Sequence, residues 1–143
     1  MSRKEQAIAS IREFNRFYTN IIGIVNQHIL ESPYSLSEVR VLYEINYNHN
    51  CTAKSIKSIL QIDEGYLSRI MEKFVKKILV KKIQSPDDGR VYILSLTAKG
   101  KKEFDRLNEA AELSIAEVIN RLPQNDLQDL MHMMTGIRRI LSQ

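Results

Sequence analysis

Apolar side chains in the first thirty positions fall at Ile8, Ile11, Phe14, Phe17, Tyr18, Ile21, Ile22, Val25 and Ile29, with His28 on the same face. That is the three- and four-residue spacing of a helix about seven turns long. Ser32-Pro33 ends it, because proline disfavours helix in the residue before it. Ser35-Leu36-Ser37-Glu38 then has the spacing of a capping box, in which hydroxyl and carboxylate each satisfy an orphan backbone N–H. A second helix follows, with Leu36, Val39, Leu42, Tyr43 and Ile45 facing inward, and Asn46-Tyr47-Asn48-His49-Asn50 breaks it. Thr52 caps a short helix through Leu60, its stripe formed by Ala53, Ile56, Ile59 and Leu60 while Lys54 and Lys57 face away. After Gln61-Ile62, Asp63 is a good N-cap for a helix in which Leu67, Ile70, Met71, Phe74 and Ile78 recur on one side. Two helices joined by so short a turn read as a helix-turn-helix.

From Leu79 the period changes. Leu79-Val80-Lys81-Lys82-Ile83-Gln84 and Val91-Tyr92-Ile93-Leu94-Ser95-Leu96 are rich in β-formers, and the Asp88-Gly89 turn signal between them predicts a hairpin. Thr97 caps a helix carrying Phe104, Leu107, Ala111, Ile115, Val118 and Leu122. Pro123 begins a last one with Leu127, Leu130, Met131, Met134, Ile137 and Leu141. The expected order is α-α-α-α-β-β-α-α, a mainly α fold with one small hairpin, in a single domain over 1–143. Residues 1–34 and 104–143 are the expected dimerisation helices, and residues 35–100 the expected lobe carrying the helix-turn-helix and the hairpin. The terminal helices carry more apolar surface than a lone helix can solvate. A homodimer would bury it and set two helix-turn-helix units about one DNA turn apart, whereas a monomeric helical bundle is the alternative.

Charge sharpens this picture. Residues 52–90 hold nine basic and five acidic side chains, while the remaining chain has twelve of each, so the middle carries the whole net charge of +4. Double-stranded DNA is the natural partner of such a segment, the other reading being a solvated surface biased by composition. Removing the inward set Leu67, Ile70, Met71 and Phe74 leaves Glu64, Gly65, Tyr66, Ser68, Arg69, Glu72 and Lys73 on the outer face of the second helix of the motif. Arg69 suits guanine O6 and N7, and Ser68 a base or a phosphate. Tyr66 suits a phosphate or a thymine methyl, and Gly65 permits close backbone approach. Glu64 either accepts from cytosine or simply complements the helix dipole. At the hairpin tip Arg90 is placed to enter a minor groove, with Asp88 holding its guanidinium; a surface ion pair is the plainer reading. Lys54, Lys57, Lys76, Lys77, Lys81 and Lys82 read as phosphate contacts or solubilising charge.

Ser37-Glu38-Val39-Arg40-Val41-Leu42, Asp63-Glu64-Gly65-Tyr66-Leu67-Ser68-Arg69, Ser85-Pro86-Asp87-Asp88-Gly89-Arg90 and Leu96-Thr97-Ala98-Lys99-Gly100 together resemble the MarR family of winged helix-turn-helix transcriptional regulators. The resemblance covers nearly the whole chain. It is most specific at the Ser68-Arg69 pair, at Asp88 and Arg90, and in the Leu-Thr-x-Lys-Gly run. It implies a dimer held by the terminal helices, recognition helices in successive major grooves and wings in the flanking minor grooves. It also implies repression released by a small phenolic or anionic effector. The wording Gly65-Tyr66-Leu67-Ser68-Arg69 is similar to the MarR-like domains fused to certain GNAT acetyltransferases; the chain ends at Gln143 without such a domain, as a stand-alone relative or an excised portion. It departs from the family at Lys77-Ile78-Leu79-Val80, with isoleucine where relatives commonly have glycine. Redox-sensing members use a cysteine near the N-terminus, whereas Cys51 lies between the second and third helices and reads as a small hydrophobe rather than a sensor.

Candidate effector-pocket residues are Phe14, Phe17, Tyr18, His28, Tyr34, Arg40 and Tyr43, most of them equally explained as core. Arg40 stands among inward apolar positions and needs a partner there, a ligand carboxylate or a glutamate. Met131, Met133 and Met134 read as packing. No phosphate-binding glycine loop, zinc-protease or serine-hydrolase motif is present, so no catalytic residue, metal or cofactor is expected. The lone Cys51, and the lack of a signal sequence or of an apolar run of about 18 residues, point to the cytoplasm. Regulation by DNA binding is the leading reading. A regulatory domain serving an acetyltransferase and a protein-interaction adaptor are the alternatives.

Overall fold

The computed structural model describes residues 1–143, the side chain of Leu30 excepted. Among the described residues the order is α1 (Arg3–Val25), α2 (Gln27–Leu30), α3 (Leu36–Tyr47), α4 (Ala53–Leu60), α5 (Glu64–Lys76), β1 (Val80–Gln84), β2 (Tyr92–Leu96), α6 (Ala98–Ile119) and α7 (Gln124–Leu141). The first helix is thus not the single element its spacing predicts. Asn26 leaves the helical conformation and ends α1, and the short α2 follows it. Asparagine competes for local backbone groups and is a weak helix former, which an apolar count does not register. Ser32 then closes the segment, donating from Oγ to the Ile29 carbonyl at 2.7 Å and accepting from the Tyr34 N–H at 3.1 Å. Among the described residues no helix is long and apolar enough to cross a membrane.

The chain resolves into two compact units, one of residues 27–110 and one of residues 1–26 with 111–143. In the central unit the helix starts follow their caps. Ser35 Oγ accepts from the Glu38 N–H at 3.1 Å while Glu38 Oε1 accepts from the Ser35 N–H at 2.9 Å. Thr52 and Ser55 form a second reciprocal box, and Asp63 Oδ2 accepts from the Tyr66 N–H at 3.0 Å. Val41, Leu42, Ile45, Ile56, Leu60, Leu67, Ile70, Met71 and Phe74 form one buried cluster with Leu79, Val80 and Leu94. Tyr34, Phe104 and Leu107 belong to the same cluster, so this unit is larger than the 35–100 lobe expected from the motifs. β1 and β2 pair antiparallel from Val80 opposite Leu96 to Gln84 opposite Tyr92. The Leu94 N–H, donating to the Cys51 carbonyl at 2.7 Å, fastens the hairpin to the segment before α4.

Between α5 and β1 the chain reverses through Ile78, which the apolar period placed on the inner face of the helix. It lies instead beyond the helix end, 65% exposed and at φ +60°. The Leu79 N–H donates to the Phe74 carbonyl at 2.9 Å and the Ile78 N–H to the Val75 carbonyl at 3.1 Å, the paired bonds of a Schellman cap. Such a cap puts a left-handed residue at this position, usually glycine, and a β-branched side chain there is strained by about 1–2 kcal/mol. Tertiary contacts hold it: Thr97 Oγ1 donates to the Ile78 carbonyl at 2.6 Å and accepts from the Gly100 N–H at 3.0 Å. The Thr97 N–H donates to the Leu79 carbonyl at 3.0 Å, and a β-carbon at Gly100 would collide with that same carbonyl oxygen.

The terminal unit is built differently. Ser2 and Glu5 form a capping box for α1, and Phe14 and Tyr18 stack at 5.4 Å. Neither α1 nor α7 has a buried residue, and the buried residues of α6, Gly100, Phe104 and Leu107, all lie in its central-unit half.

Candidate nucleic-acid interface

α4 and α5 are joined by Gln61, Ile62 and Asp63, with Gln61 in the left-handed conformation at φ +51°. Burial of Leu67, Ile70, Met71 and Phe74 fixes the rotation of α5, leaving Glu64, Gly65, Tyr66, Ser68, Arg69 and Glu72 exposed along its first two turns. The Arg69 guanidinium carbon sits 5.9 Å from the Tyr66 ring centroid. A cation over a ring face is attracted by its quadrupole, so the two side chains orient one another. Glu64 Oε2 lies 3.3 Å from Lys57 Nζ, an exposed ion pair across the turn of modest worth that holds the helix-dipole carboxylate against α4. Lys54 is exposed on α4.

The second half of α5 departs from a free basic face. Lys73 Nζ lies 2.6 Å from Glu38 Oε2, and the Tyr34 ring centroid is 6.0 Å from Lys73 Nζ and 5.7 Å from Lys77 Nζ. Burial raises the Glu38 carboxyl's pKa, but the hydrogen bonds from Lys73 and Ser35 outweigh it and hold it below the ordinary glutamate value. A shallow hollow on this side is lined by Arg69, Glu72, Lys73, Lys76 and Lys77, four cations to one carboxylate. Subtraction of the inward residues gives the exposed outer face of α5 as the structure has it. It misses Glu38, thirty-five positions from Lys73, because nothing local marks that pairing.

The hairpin tip is a seven-residue connection, 85–91, rather than the two-residue primed turn that Asp-Gly favours; among the described residues no glycine has positive φ. Asp88 closes it instead. Its carbonyl accepts from the Val91 N–H at 3.0 Å, and its Oδ1 accepts from the Arg90 N–H at 3.0 Å and from Arg90 Nε at 3.3 Å. Arg90 is thereby aimed from a side chain that is 92% exposed. Gln84 Nε2 donates to the Gly89 carbonyl at 2.7 Å, and Lys81 and Lys82 are exposed on β1.

The effector candidates divide between the two units. Phe14, Phe17 and Tyr18 belong to the terminal unit, and Tyr34, Arg40 and Tyr43 to the central one. Tyr34 is core, its hydroxyl donating to Glu103 Oε2 at 3.1 Å. Burial and the neighbouring Glu103 both raise its phenol pKa. Arg40 is exposed rather than inward, because the buried face of α3 is set by Glu38, Val41, Leu42 and Ile45. It therefore has no buried charge to satisfy. Tyr43 is half-exposed beside Tyr47 and Phe104, at 4.6 and 6.2 Å between ring centroids. A cleft of about 280 Å³ lies between the end of α3 and β2, and none of the seven candidates lines it. Cys51 is buried with Sγ 3.8 Å from Ser55 Oγ, and burial pushes its thiol pKa up, away from the reactive range.

A helix-turn-helix whose second helix runs through a tight cap into an antiparallel hairpin is a winged helix-turn-helix. Residues 34–92, from the start of the central core to the first residue of β2, match the model of the MarR family. It is 29% identical over 72 residues to the HTH-type transcriptional regulator BilQ of Clostridioides difficile, covering 49% of this chain and 49% of the relative. A BilQ of Clostridium symbiosum is 27% identical over 90 residues, 63% of this chain and 62% of the relative. The matches therefore span about half to three-fifths of these relatives' length. Among solved structures, Streptococcus pneumoniae FabT in complex with DNA superposes with a TM-score of 0.79 at 17% identity, covering 94% of this chain and 97% of that one.

Proposed function

We propose that this protein is a homodimeric DNA-binding transcriptional regulator of the cytoplasm, not an enzyme. In this reading α5 enters the major groove of a near-palindromic operator and the Asp88–Arg90 tip the adjacent minor groove. The observation that carries it is the outer face of α5, where Gly65, Tyr66, Ser68 and Arg69 stand exposed above a fully packed inner face. The BilQ relatives, described as HTH-type transcriptional regulators, support the same reading. The unburied apolar residues of α1 and α7 support a second copy as the partner that covers them. The protein represses, and a small phenolic or anionic effector releases it, as the family resemblance implies.

The test is fluorescence anisotropy against duplex from upstream of the gene and against shuffled duplex, across a salt series. The upstream duplex should be favoured by about a thousandfold or more, with affinity falling as salt rises. Arg69→Ala should remove most of that preference. Equal, weak binding to both duplexes would sink the proposal.

A further inference from the structure

Among the described residues Glu38 is the one charged side chain in the buried set, 8% exposed. Its two oxygens have separate employments: Oε1 closes the capping box at the start of α3, and Oε2 receives Lys73 Nζ from α5 at 2.6 Å. Lys73 follows Arg69 by one helical turn, on the helix whose outer face carries the reading residues. By composition it is one more phosphate contact. By geometry its side chain is still 37% exposed, but its ammonium is held between a buried carboxylate and the face of Tyr34, whose hydroxyl is itself held by Glu103 of α6. To reach a phosphate it would have to leave a carboxylate that is nine-tenths buried without a counter-charge, which is strongly unfavourable. Lys76, exposed and without such a partner carboxylate, contrasts with it one turn-fraction away.

We propose that Glu38 and Lys73 are a positioning pair for DNA recognition. Glu38 withdraws Lys73 from the phosphate-contacting set and uses it to fix the roll of α5 against α3, so that Ser68 and Arg69 meet base edges at a set angle. Side chains that read bases need their supporting shell locked, and this ion pair joins the recognition helix to an element whose start is already fixed by its own cap. The pair contributes to specificity rather than to the count of neutralised phosphates. This rests on the DNA-binding reading above.

The experiment is the salt series on operator and shuffled duplex for wild type, Lys73→Met, Glu38→Gln and Lys76→Met. Lys76→Met should weaken both duplexes alike and lower the slope of log K against log[salt] by about 0.9, as loss of one phosphate contact does. Lys73→Met should leave the slope unchanged and cut the operator-to-shuffled ratio by about tenfold or more. Glu38→Gln frees the ammonium, so the slope should rise by about 0.9 while the ratio falls. Should either single variant unfold, the double variant Glu38→Gln/Lys73→Met has no unpaired buried charge and serves in its place; it should keep the wild-type slope with the lowered ratio. A Lys73→Met protein that loses slope like Lys76→Met and keeps the wild-type ratio would overturn the pairing role and leave DNA recognition standing, as would a double variant with wild-type ratio. A wild-type protein with no duplex preference would overturn both.

Discussion

The two compact units carry the same helical period and treat it in opposite ways. In the central unit the apolar stripes of α3, α4 and α5 converge on one cluster with Phe74, Leu42, Ile56 and Val41 fully buried. In the terminal unit the stripes are as regular, yet Phe17 is 60%, Met131 62% and Ile137 44% exposed. Amphipathic spacing states that a face must be covered and is silent about what covers it. The central unit answers from within its own residues. The terminal helices leave many apolar side chains exposed on a single chain, which a second copy would cover in the reading proposed above.

The sharpest way to break this comparison is at Phe74. Phe74→Ala should cost about 3–5 kcal/mol in chemical denaturation, because a fully buried ring leaves a cavity its neighbours only partly fill. A loss below about 1 kcal/mol would mean the central core is not the stabilising one. Next in size, Gly100→Ala should cost about 1–3 kcal/mol, since its new methyl meets backbone at Leu79. Gly136→Ala on α7, where nothing lies within 4 Å, should instead gain up to about 1 kcal/mol from helix propensity. Opposite signs from one chemical change would separate the packed unit from the unpacked one.

Sedimentation equilibrium sharpens the other side. Ile137→Glu should weaken self-association by at least about tenfold, or about 1.4 kcal/mol, while a wild-type chain that stays monomeric at tens of micromolar would remove the interface reading. A smaller effect is expected at the cap after α5. Ile78→Gly should stabilise the protein by about 0.5–1 kcal/mol, left-handed strain being relieved against the entropy glycine adds to the unfolded chain. The smallest is a pH dependence. Glu38 has a folded-state pKa below its unfolded value, so its contribution is present above the unfolded value and is lost as pH falls through the folded one. Denaturation across acid pH should show Glu38→Gln losing less stability than wild type over that window.

What was legible in the chain follows how far each interaction reaches. The caps at Ser35, Thr52, Asp63 and Thr97 are local, spanning three residues, and each closes in the structure. The outward set on α5 follows from subtraction because four inward positions fix the rotation of the whole helix. The misses are long-range or conformational. Asn26 breaks a helix whose apolar spacing continues past it, and Ile78 takes a left-handed shape because Thr97, nineteen residues on, holds its carbonyl. Apolar neighbours point Arg40 inward, although Glu38, the polar residue two before it, is the one buried. The wing loop is organised by the Asp88 carboxylate and the Gln84 amide rather than by a glycine-specific turn.

Thr97 joins the two ends of the hairpin where they leave the body of the central unit: its N–H and hydroxyl reach back to Leu79 and Ile78, and the same hydroxyl starts α6. The hairpin is therefore closed at its base, independently of what stands at its tip. Residues 85–91 lie beyond that closure, so a change in the length of the tip should leave the register from Val80 to Leu96 intact. That makes the tip a part that can vary on its own, its residues exchanged while the body of the central unit stays as it is.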